Sequence, residues 1–350
     1  MAMDLGDLKE YFSRENVLSL SADLAPVLVL VYDRVEHLRN CIESLARCPE
    51  ASQTKLYIAS DAARSANHSM GVNIVRSYIS TITAFCQVCV FERVSNLGVL
   101  DNYYNAVGYL LERHDRLIFL QDDVVVSNSF LRFLNEGLRF YQSNPSVISV
   151  CSYVPPYLDG ASKDIFFMQR REPYGFGMWR HKEASFLQPE PSLLASKVLT
   201  NRRMFNEFCR IYPNVVTSLP LISAKLFQPG DYEASLVMYF KKLLAVYPSV
   251  SLSRHIGADG TGMHASFDQS LVNQKITDDY IFEFGKVFPR SNESFTGVMA
   301  SEKSRSLSTF LYPILYYGNL CVPCFPFILS LILKLKRALR GVSLVGAVLK

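Results

Sequence analysis

Between residues 26 and 153, short apolar runs alternate with longer segments whose apolar residues recur every three or four positions. In the first of these longer segments, Leu38, Ile42 and Leu45 have the spacing of one helical face. The pattern predicts β-strands separated by α-helices. The predicted strands are PVLVLVY (26–32), KLYIAS (55–60), QVCVFER (87–93), RLIFLQ (116–121) and SVISVCSY (146–153).

Strands that are apolar throughout and separated by helices predict an α/β fold, in which a mostly parallel, Rossmann-like sheet carries helices on both faces. Ligands of such sheets bind at the carboxyl ends of the strands. Any one polar residue at a strand end could simply cap the following helix. Several such residues at successive strand ends are typical of a nucleotide-binding crevice. The residues at these ends are Tyr32, Asp33, Arg34, Ser60, Asp61, Gln121, Asp122 and Asp123.

The C-terminal part has a different pattern. Residues 306–333 contain no charged residue, and KLKRALR follows directly. This length exceeds the roughly 20 apolar residues of a membrane span, but Pro313, Pro323 and Pro326 interrupt a simple helix. We expect membrane contact through 306–340, by a spanning, re-entrant or interfacial segment at the cytoplasmic face. A buried C-terminal hairpin or an oligomer interface is the alternative.

Composition narrows the class of protein. Apolar residues make up 49% and the net charge is only +4, which argues against a nucleic-acid-binding protein. The N-terminus has no apolar signal segment, so a cytoplasmic location is expected, with reduced cysteines. Two C-x-x-C pairs could hold zinc, but both lie in apolar runs, at Cys86 and Cys89 and at Cys321 and Cys324.

Asp122 and Asp123 are the strongest chemical signal in the sequence. Two adjacent carboxylates at the end of a buried strand repel each other and lose solvation, so a cation is expected beside them. A hard divalent cation, Mn²⁺ or Mg²⁺, suits these oxygen ligands. His264, which follows GADGTGM, is a candidate further ligand, although a lone histidine is often structural.

A metal-bound diphosphate is a leaving group, and the acceptor hydroxyl that displaces it needs a general base. Asp231 and Glu233 in PGDYEAS are candidates for this base. Both could instead be favourable charges at the N-terminus of a helix.

Seven segments resemble, in the same order, nucleotide-sugar glycosyltransferases of the GT-A fold. The family is that of bacterial surface-polysaccharide transferases, distantly related to the Golgi N-acetylglucosaminyltransferase that starts complex N-glycans. The resemblance covers about residues 25–268. The segments are VLVLVYDRVEHLRNCIESL, IASDAAR, RVSNLGVLDNYYNAV, LIFLQDDVVVSNSFLRFLN with its equivalent of the metal-binding Asp-x-Asp motif, GFGMWRHKE, GDYEASL and YPSVSLSRHIGADGTGMH.

The resemblance implies roles for individual residues. It makes Asp123 the direct metal ligand, places Asp122 at the ribose or a metal-bound water, and makes Asp231 the base and His264 a ligand of the metal or diphosphate. Trp179 would lie near the donor sugar or the acceptor, or else be buried packing. The remaining implied donor contacts are Tyr32, Arg34, Asp61, Asn96, Gly98 and Gln121.

Three departures from the family pattern affect the expected site. Gln121 stands where relatives have Glu, which reduces the charge at the metal site. Ala62 replaces a glycine, and Gly230 and Ala234 replace tryptophans around Asp231, so the sugar specificity is open.

The resulting expectation is a metal-dependent, inverting glycosyltransferase that moves a sugar from a nucleotide-diphosphate donor, a UDP-sugar, to a hydroxyl of a glycan or lipid-linked glycan. A sugar nucleotidyltransferase would need a glycine-rich loop that VYDRVEHL lacks. A non-catalytic polysaccharide-assembly protein is the other alternative. The expected organisation is an N-terminal extension (1–24), a nucleotide-sugar-binding half (25–151), an acceptor-binding half of the same domain (152–300) and a membrane-associating tail (301–350).

Overall fold

The structure is a computed structural model that describes residues 7–13, 23–160, 162, 165–183, 190–212, 215–227, 230–260, 268–287, 308–322 and 324–332. Its contacts divide the chain into two compact units. The first comprises Met1–Ser185 and Leu244–Ser291, and the second Phe186–Leu243 and Asn292–Lys350. This division does not coincide with the expected boundary at residue 151, because strands on both sides of that residue belong to one sheet.

The described strands all belong to the first unit. They are β1 (Asp7–Ser13), β2 (Val27–Val31), β3 (Lys55–Ser60), β4 (Gln87–Glu92), β5 (Arg116–Gln121), β6 (Val124–Val126), β7 (Val147–Cys151), β8 (Phe166–Met168), β9 (Phe176–Trp179), β10 (Leu244–Tyr247) and β11 (Ser253–His255).

The described helices are shared between the units. The first unit has α1 (Val35–Ala46), α2 (Ala66–Ile79), α3 (Gly98–Arg113), α4 (Phe130–Phe140), α5 (Arg180–Glu183) and α10 (Gln269–Val272). The second has α6 (Pro191–Thr200), α7 (Arg202–Ile211), α8 (Leu219–Ser223), α9 (Asp231–Lys241) and α11 (Ser308–Cys321), with a further helical stretch at 325–332.

The main sheet has nine strands in the order β1-β4-β3-β2-β5-β9-β7-β10-β8. Strands β2, β3, β4, β5, β7 and β10 run in one direction, while β1, β8 and β9 are antiparallel to their neighbours. The predicted α/β fold with a mostly parallel, Rossmann-like sheet is therefore confirmed. Right-handed crossovers put α1 and α2 on one face and α3 on the other.

The core lies where this sheet meets its helices. The helical spacing of α1 buries Leu38, Ile42 and Leu45, as predicted, in the same cluster as Val29 of β2 and Leu120 of β5. Removing these side chains from water is the main favourable contribution to folding. Burial on both sides also keeps the strand ends, and the polar residues after them, in fixed positions.

Part of the expected N-terminal extension is an edge strand. β1 pairs antiparallel with β4, with Leu8 opposite Phe91. Lys9 Nζ lies 2.5 Å from a carboxylate oxygen of Glu92, and the Tyr11 hydroxyl donates to the other oxygen. Asp7–Ser13, within the expected N-terminal extension over residues 1–24, therefore form the edge strand of the main sheet.

The chain order creates a crevice between β2 and β5. From β2 the chain moves outward through β3 to β4, and α3 then returns it to β5 on the opposite side of β2. The connection after β5 runs along α1, where the Val126 amide donates a 3.0 Å hydrogen bond to the Ser44 hydroxyl. The carboxyl ends of β2 and β5 lie where the strand order reverses, and open α/β sheets bind ligands in the crevice outside such a point.

In the second unit, α11 lies against α6 and α7, and the ring centroids of Phe205 and Tyr316 are 5.1 Å apart. Ile314, Phe327 and Leu331 are exposed apolar side chains of the C-terminal helices. None of the helices in the described ranges combines the length and hydropathy required to cross a membrane.

Candidate functional site

Arg34 bridges the two adjacent aspartates at the crevice. Asp122 and Asp123 follow β5 directly and are only 5% and 7% exposed, while Arg34 follows β2. Its Nη2 lies 2.8 Å from Asp122 Oδ1 and 2.7 Å from Asp123 Oδ2. The sequence predicted a cation between these carboxylates, and the structure supplies one from the chain itself.

The two carboxylates differ in their affinity for a proton. Burial, together with the charge of Asp123, raises the pKa of Asp122 above its usual range. Burial also disfavours ionisation of Asp123, but the hydrogen bond and charge of His255, with Arg34, hold its pKa below the usual range. Asp123 is therefore the carboxylate that stays charged.

His255 is a site residue that the sequence reasoning missed. Strand β11 pairs antiparallel with β6, which sets His255 opposite Val124 and beside Asp123. Its Nε2 lies 3.4 Å from Asp123 Oδ2, and its ring stacks on Tyr174 with centroids 4.4 Å apart. The sequence signal was present, since His255 opens the same HIGADGTGMH segment that ends in His264.

Two polar atoms of this cluster are buried and have no hydrogen-bond partner among the described residues, namely Asp123 Oδ1 and His255 Nδ1. Carboxylate oxygens and imidazole nitrogen are donors that Mn²⁺ accepts. The residues therefore fit a divalent cation whose other ligands come from a bound anion. No group of three or more His, Cys, Asp or Glu within the described ranges is arranged to hold a metal ion. The predicted ligand His264 lies outside those ranges.

The backbone at Gly257 closes over Asp123. A Cβ on Gly257 would lie 2.2 Å from Asp123 Oδ2, and the amide of Ile256 donates to the Asp123 carbonyl at 2.8 Å. Only a glycine therefore fits at position 257 without moving the carboxylate.

Asp61 holds together the loop that was predicted to contact the nucleotide. Its Oδ1 accepts hydrogen bonds of 2.9 Å from the amides of Ala62 and Leu97. Its Oδ2 accepts from Asn96 Nδ2 at 3.1 Å and from the amide of Gly98 at 2.9 Å. Gly98, with a φ of +77°, begins α3, so the Asp61 charge also stabilises a helix N-terminus. Contact of these residues with a nucleotide stays a prediction.

Tyr32 lies at the end of β2, where its hydroxyl accepts a 2.8 Å hydrogen bond from the Arg64 amide. Gln121, the last residue of β5, pairs with Leu30 of β2 and is half-buried.

A cavity of about 430 Å³ lies next to the Asp61 loop. Its lining is Lys9, Ala62, Ala63, Ser69, Val72, Asn73, Arg76, Glu92, Arg93 and Val94.

Trp179 was expected near the sugar or the acceptor or else in buried packing, and its position agrees with the packing alternative. The residue is fully buried, and its Nε1 donates a 2.9 Å hydrogen bond to the Leu138 carbonyl. In the β5–β9 pairing it stands opposite Arg116, at the amino end of β5. At about 3.3 Å per residue, this is roughly 16 Å from Gln121 at the carboxyl end. Trp179 is therefore a core residue.

The predicted bases belong to the second unit. Asp231 is the first residue of α9, and Glu233 is a half-buried residue in its first turn. Gly230, at the position where relatives carry tryptophan, precedes the helix with a φ of +47°. Glu233 also donates its amide to the Gly230 carbonyl at 3.1 Å.

Comparisons with known proteins give matches in structure only. No family model matches the chain. No curated protein matches its sequence significantly.

Among solved structures, the chain is similar to a mannosyltransferase from Pyrobaculum calidifontis in complex with GDP-Man and Mn²⁺, at a TM-score of 0.34 and 9% identity over 61% of this chain and 68% of that one. It is also similar to a fragment of TarS from S. aureus, at a TM-score of 0.37 and 11% identity over 66% of this chain and 59% of that one. The same fragment in complex with UDP-GlcNAc gives the same TM-score and identity, over 57% of its length. These identities and TM-scores are low, so any functional assignment must come from the residues of the site.

Proposed function

We propose that this protein is a glycosyltransferase that moves a sugar from a nucleotide-diphosphate donor to a hydroxyl of a glycan or lipid-linked glycan. The observation that carries the proposal is the buried Asp122–Asp123 pair, bridged by Arg34 in the crevice between β2 and β5. The ordered series of motifs in residues 25–268 supports the same reading.

The donor, a UDP-sugar in this proposal, binds along the carboxyl ends of the strands. Its diphosphate faces Arg34, whose planar guanidinium suits phosphate oxygens. The nucleoside lies toward Tyr32 and the Asp61–Gly98 loop, and the neighbouring cavity supports this by offering space. Gln121 borders the same crevice with an amide in place of the acid of relatives.

Asp123, with Asp122 beside it, would hold a divalent cation, Mn²⁺ or Mg²⁺, and His255 and His264 are candidates for a further ligand. The unpartnered Asp123 Oδ1 supports this assignment. When bound, such a cation offsets the negative charge that develops on the departing diphosphate.

The transfer itself is a single displacement in the proposed mechanism. The acceptor hydroxyl oxygen forms a bond to the anomeric carbon, the bond from that carbon to the diphosphate oxygen breaks, and its electron pair leaves with the diphosphate. The hydroxyl proton passes to a carboxylate, for which Asp231 is the first candidate and Glu233 the second. This displacement inverts the anomeric centre, so a retained configuration in the product, read by NMR, would contradict it.

We also propose that the protein works at the cytoplasmic face of a membrane, where a lipid-linked acceptor would be found. Exposed apolar side chains at Ile314, Phe327 and Leu331, and the basic residues after 333, support this. A Phe327→Glu/Leu331→Glu variant should lose sedimentation with anionic vesicles while retaining its melting temperature. Equal sedimentation of both proteins would contradict membrane contact through this segment.

The central test is calorimetry with UDP, with and without Mn²⁺, beside a donor-hydrolysis screen. We expect Mn²⁺ to strengthen UDP binding, and Asp123→Asn to weaken metal-dependent binding at least about tenfold. Asp115→Asn is the matched control, because Asp115 is an exposed carboxylate just before the opposite end of β5. UDP binding that Mn²⁺ does not change, or an Asp123→Asn protein that behaves like the native one, would contradict the proposal.

A further inference from the structure

We infer that Arg34 couples the binding of the divalent cation to the binding of the donor diphosphate. The guanidinium and the cation compete for the carboxylates of Asp122 and Asp123, and the diphosphate ends the competition by taking over the guanidinium. This inference rests on the proposed function, and it adds a rule for the order and mutual dependence of the two binding events.

The competition follows from the position of one nitrogen atom. Both of the side-chain hydrogen bonds that Arg34 makes to described residues come from Nη2, one to each aspartate. The atom therefore lies within bonding distance of both carboxylates, and a cation bound to either of them, including one at the unpartnered Asp123 Oδ1, would lie within a few Å of it. Two positive groups at such close range in a buried place repel each other strongly.

Arg34 is also able to leave. Its side chain is 23% exposed, against 8% and 10% for the side chains of Asp122 and Asp123. The carboxylates are fixed at the end of a buried strand, whereas the arginine sits on the turn before α1 with a flexible stem. When the pair of carboxylates gains a cation, Arg34 is the member that moves.

The diphosphate supplies the new partner. Nε and Nη1 of Arg34 remain for oxygens of a phosphate, which match the fork of a guanidinium. Two carboxylates do not carry enough negative charge to balance both an arginine and a divalent cation. A bound diphosphate contributes the missing negative charge. Each ligand therefore raises the affinity for the other, and by linkage the two factors are equal.

Mn²⁺ binding without nucleotide discriminates this role from a simple donor contact. Arg34→Met removes the competitor, so we expect it to bind Mn²⁺ alone about tenfold more tightly than the native protein. Arg34→Lys keeps the positive charge and should stay close to native. Arg39→Met, an exposed arginine of α1 paired with Glu36, is the matched control and should not change Mn²⁺ affinity. Free Mn²⁺ is measured by its EPR signal during titration, with melting temperatures recorded for every variant.

The outcomes separate this inference from the proposed function. Mn²⁺ affinity that is unchanged or weaker in Arg34→Met overturns the coupling, even if UDP binding still depends on Mn²⁺. If UDP binding to the native protein does not depend on Mn²⁺, the proposed function is overturned instead. If Arg34→Met does not fold, the double variant Arg34→Met/Asp122→Asn is compared with Asp122→Asn alone. The double variant removes one positive and one negative charge, so it leaves the charge balance of the site unchanged. Tighter Mn²⁺ binding in the double variant supports the coupling, and equal or weaker binding overturns it.

Discussion

Gly257 lies so close to Asp123 that a Cβ on the glycine would sit 2.2 Å from the Oδ2 atom of the carboxylate. We therefore expect Gly257→Ala to push the Asp123 side chain away and to weaken Mn²⁺-dependent UDP binding about tenfold or more, without any change in charge. Calorimetry measures this affinity directly.

A control for that variant exists in the same loop. Gly260 has a φ of +91°, and no heavy atom of the described part of the chain lies within 4 Å of a Cβ built there. Gly260→Ala should lower the free energy of unfolding by about 1 kcal/mol through backbone strain and leave Mn²⁺ binding unchanged. Equal effects of both variants on Mn²⁺ binding would mean that loop strain, and not the contact with Asp123, is responsible.

Asp61→Asn tests whether the Asp61 carboxylate organises its loop. The aspartate accepts bonds from Ala62, Asn96, Leu97 and Gly98, and an amide can keep only part of this set. We expect the free energy of unfolding to fall by about 1–3 kcal/mol, measured by urea denaturation. A variant of native stability that binds UDP more weakly would instead favour a direct contact with the nucleotide.

Trp179→Phe separates a core role from a role in sugar binding. Loss of the indole hydrogen bond to Leu138, and replacement of the indole by a smaller ring beside the Lys182 ammonium, which lies 3.7 Å from the indole centroid, should lower the free energy of unfolding by about 2 kcal/mol. The KM for the donor should not change. If the Trp179→Phe variant has native stability and a raised KM for the donor, the result would favour a position of Trp179 near the sugar.

His114 should make stability depend on pH. Burial, together with the charges of Lys55, Arg180 and Arg113, lowers the pKa of His114 below its usual value of 6.5. The unfolded chain therefore takes up this proton more readily than the folded one, so stability is lost as the pH falls through about 6.5. Urea midpoints at about pH 7 and about pH 5 measure the effect.

His114→Gln should show a smaller loss of stability between these two pH values than the native protein. His181→Gln is the matched control, because His181 is an exposed histidine of α5. The same loss in the native protein and in both variants would exclude His114 as the source.

The strands and the polar residues at their ends could be predicted from the sequence because burial on both faces leaves a local signal. KLYIAS and RLIFLQ form strands with the predicted bounds. The pairing of Arg34 with Asp122 and Asp123 could not be predicted, because it depends on β2 and β5 being neighbours, and that neighbourhood is set by the return path of α3.

The positions of other residues depend on strand pairings that the local sequence does not specify. His255 reaches Asp123 only through the short β6–β11 pairing, whose strands are too brief to give a clear period. Trp179 carries a family-like motif, yet its place is decided by β9 running antiparallel to β5. β1 pairs with β4, which lies far away in the sequence. Because β1 is rich in polar residues, it has no apolar run that would predict a strand.

The β6–β11 ribbon also bears on how the protein is made. Arg34, Asp122 and Asp123 belong to a stretch that leaves the ribosome early, whereas His255 and Gly257 follow more than a hundred residues later. Since β11 has to pair with β6 before the imidazole reaches Asp123, a chain that has not yet reached β11 contains Arg34 but not His255 as a counter-charge for the aspartates. Arg34 would then neutralise the two buried carboxylates before synthesis of the chain is complete.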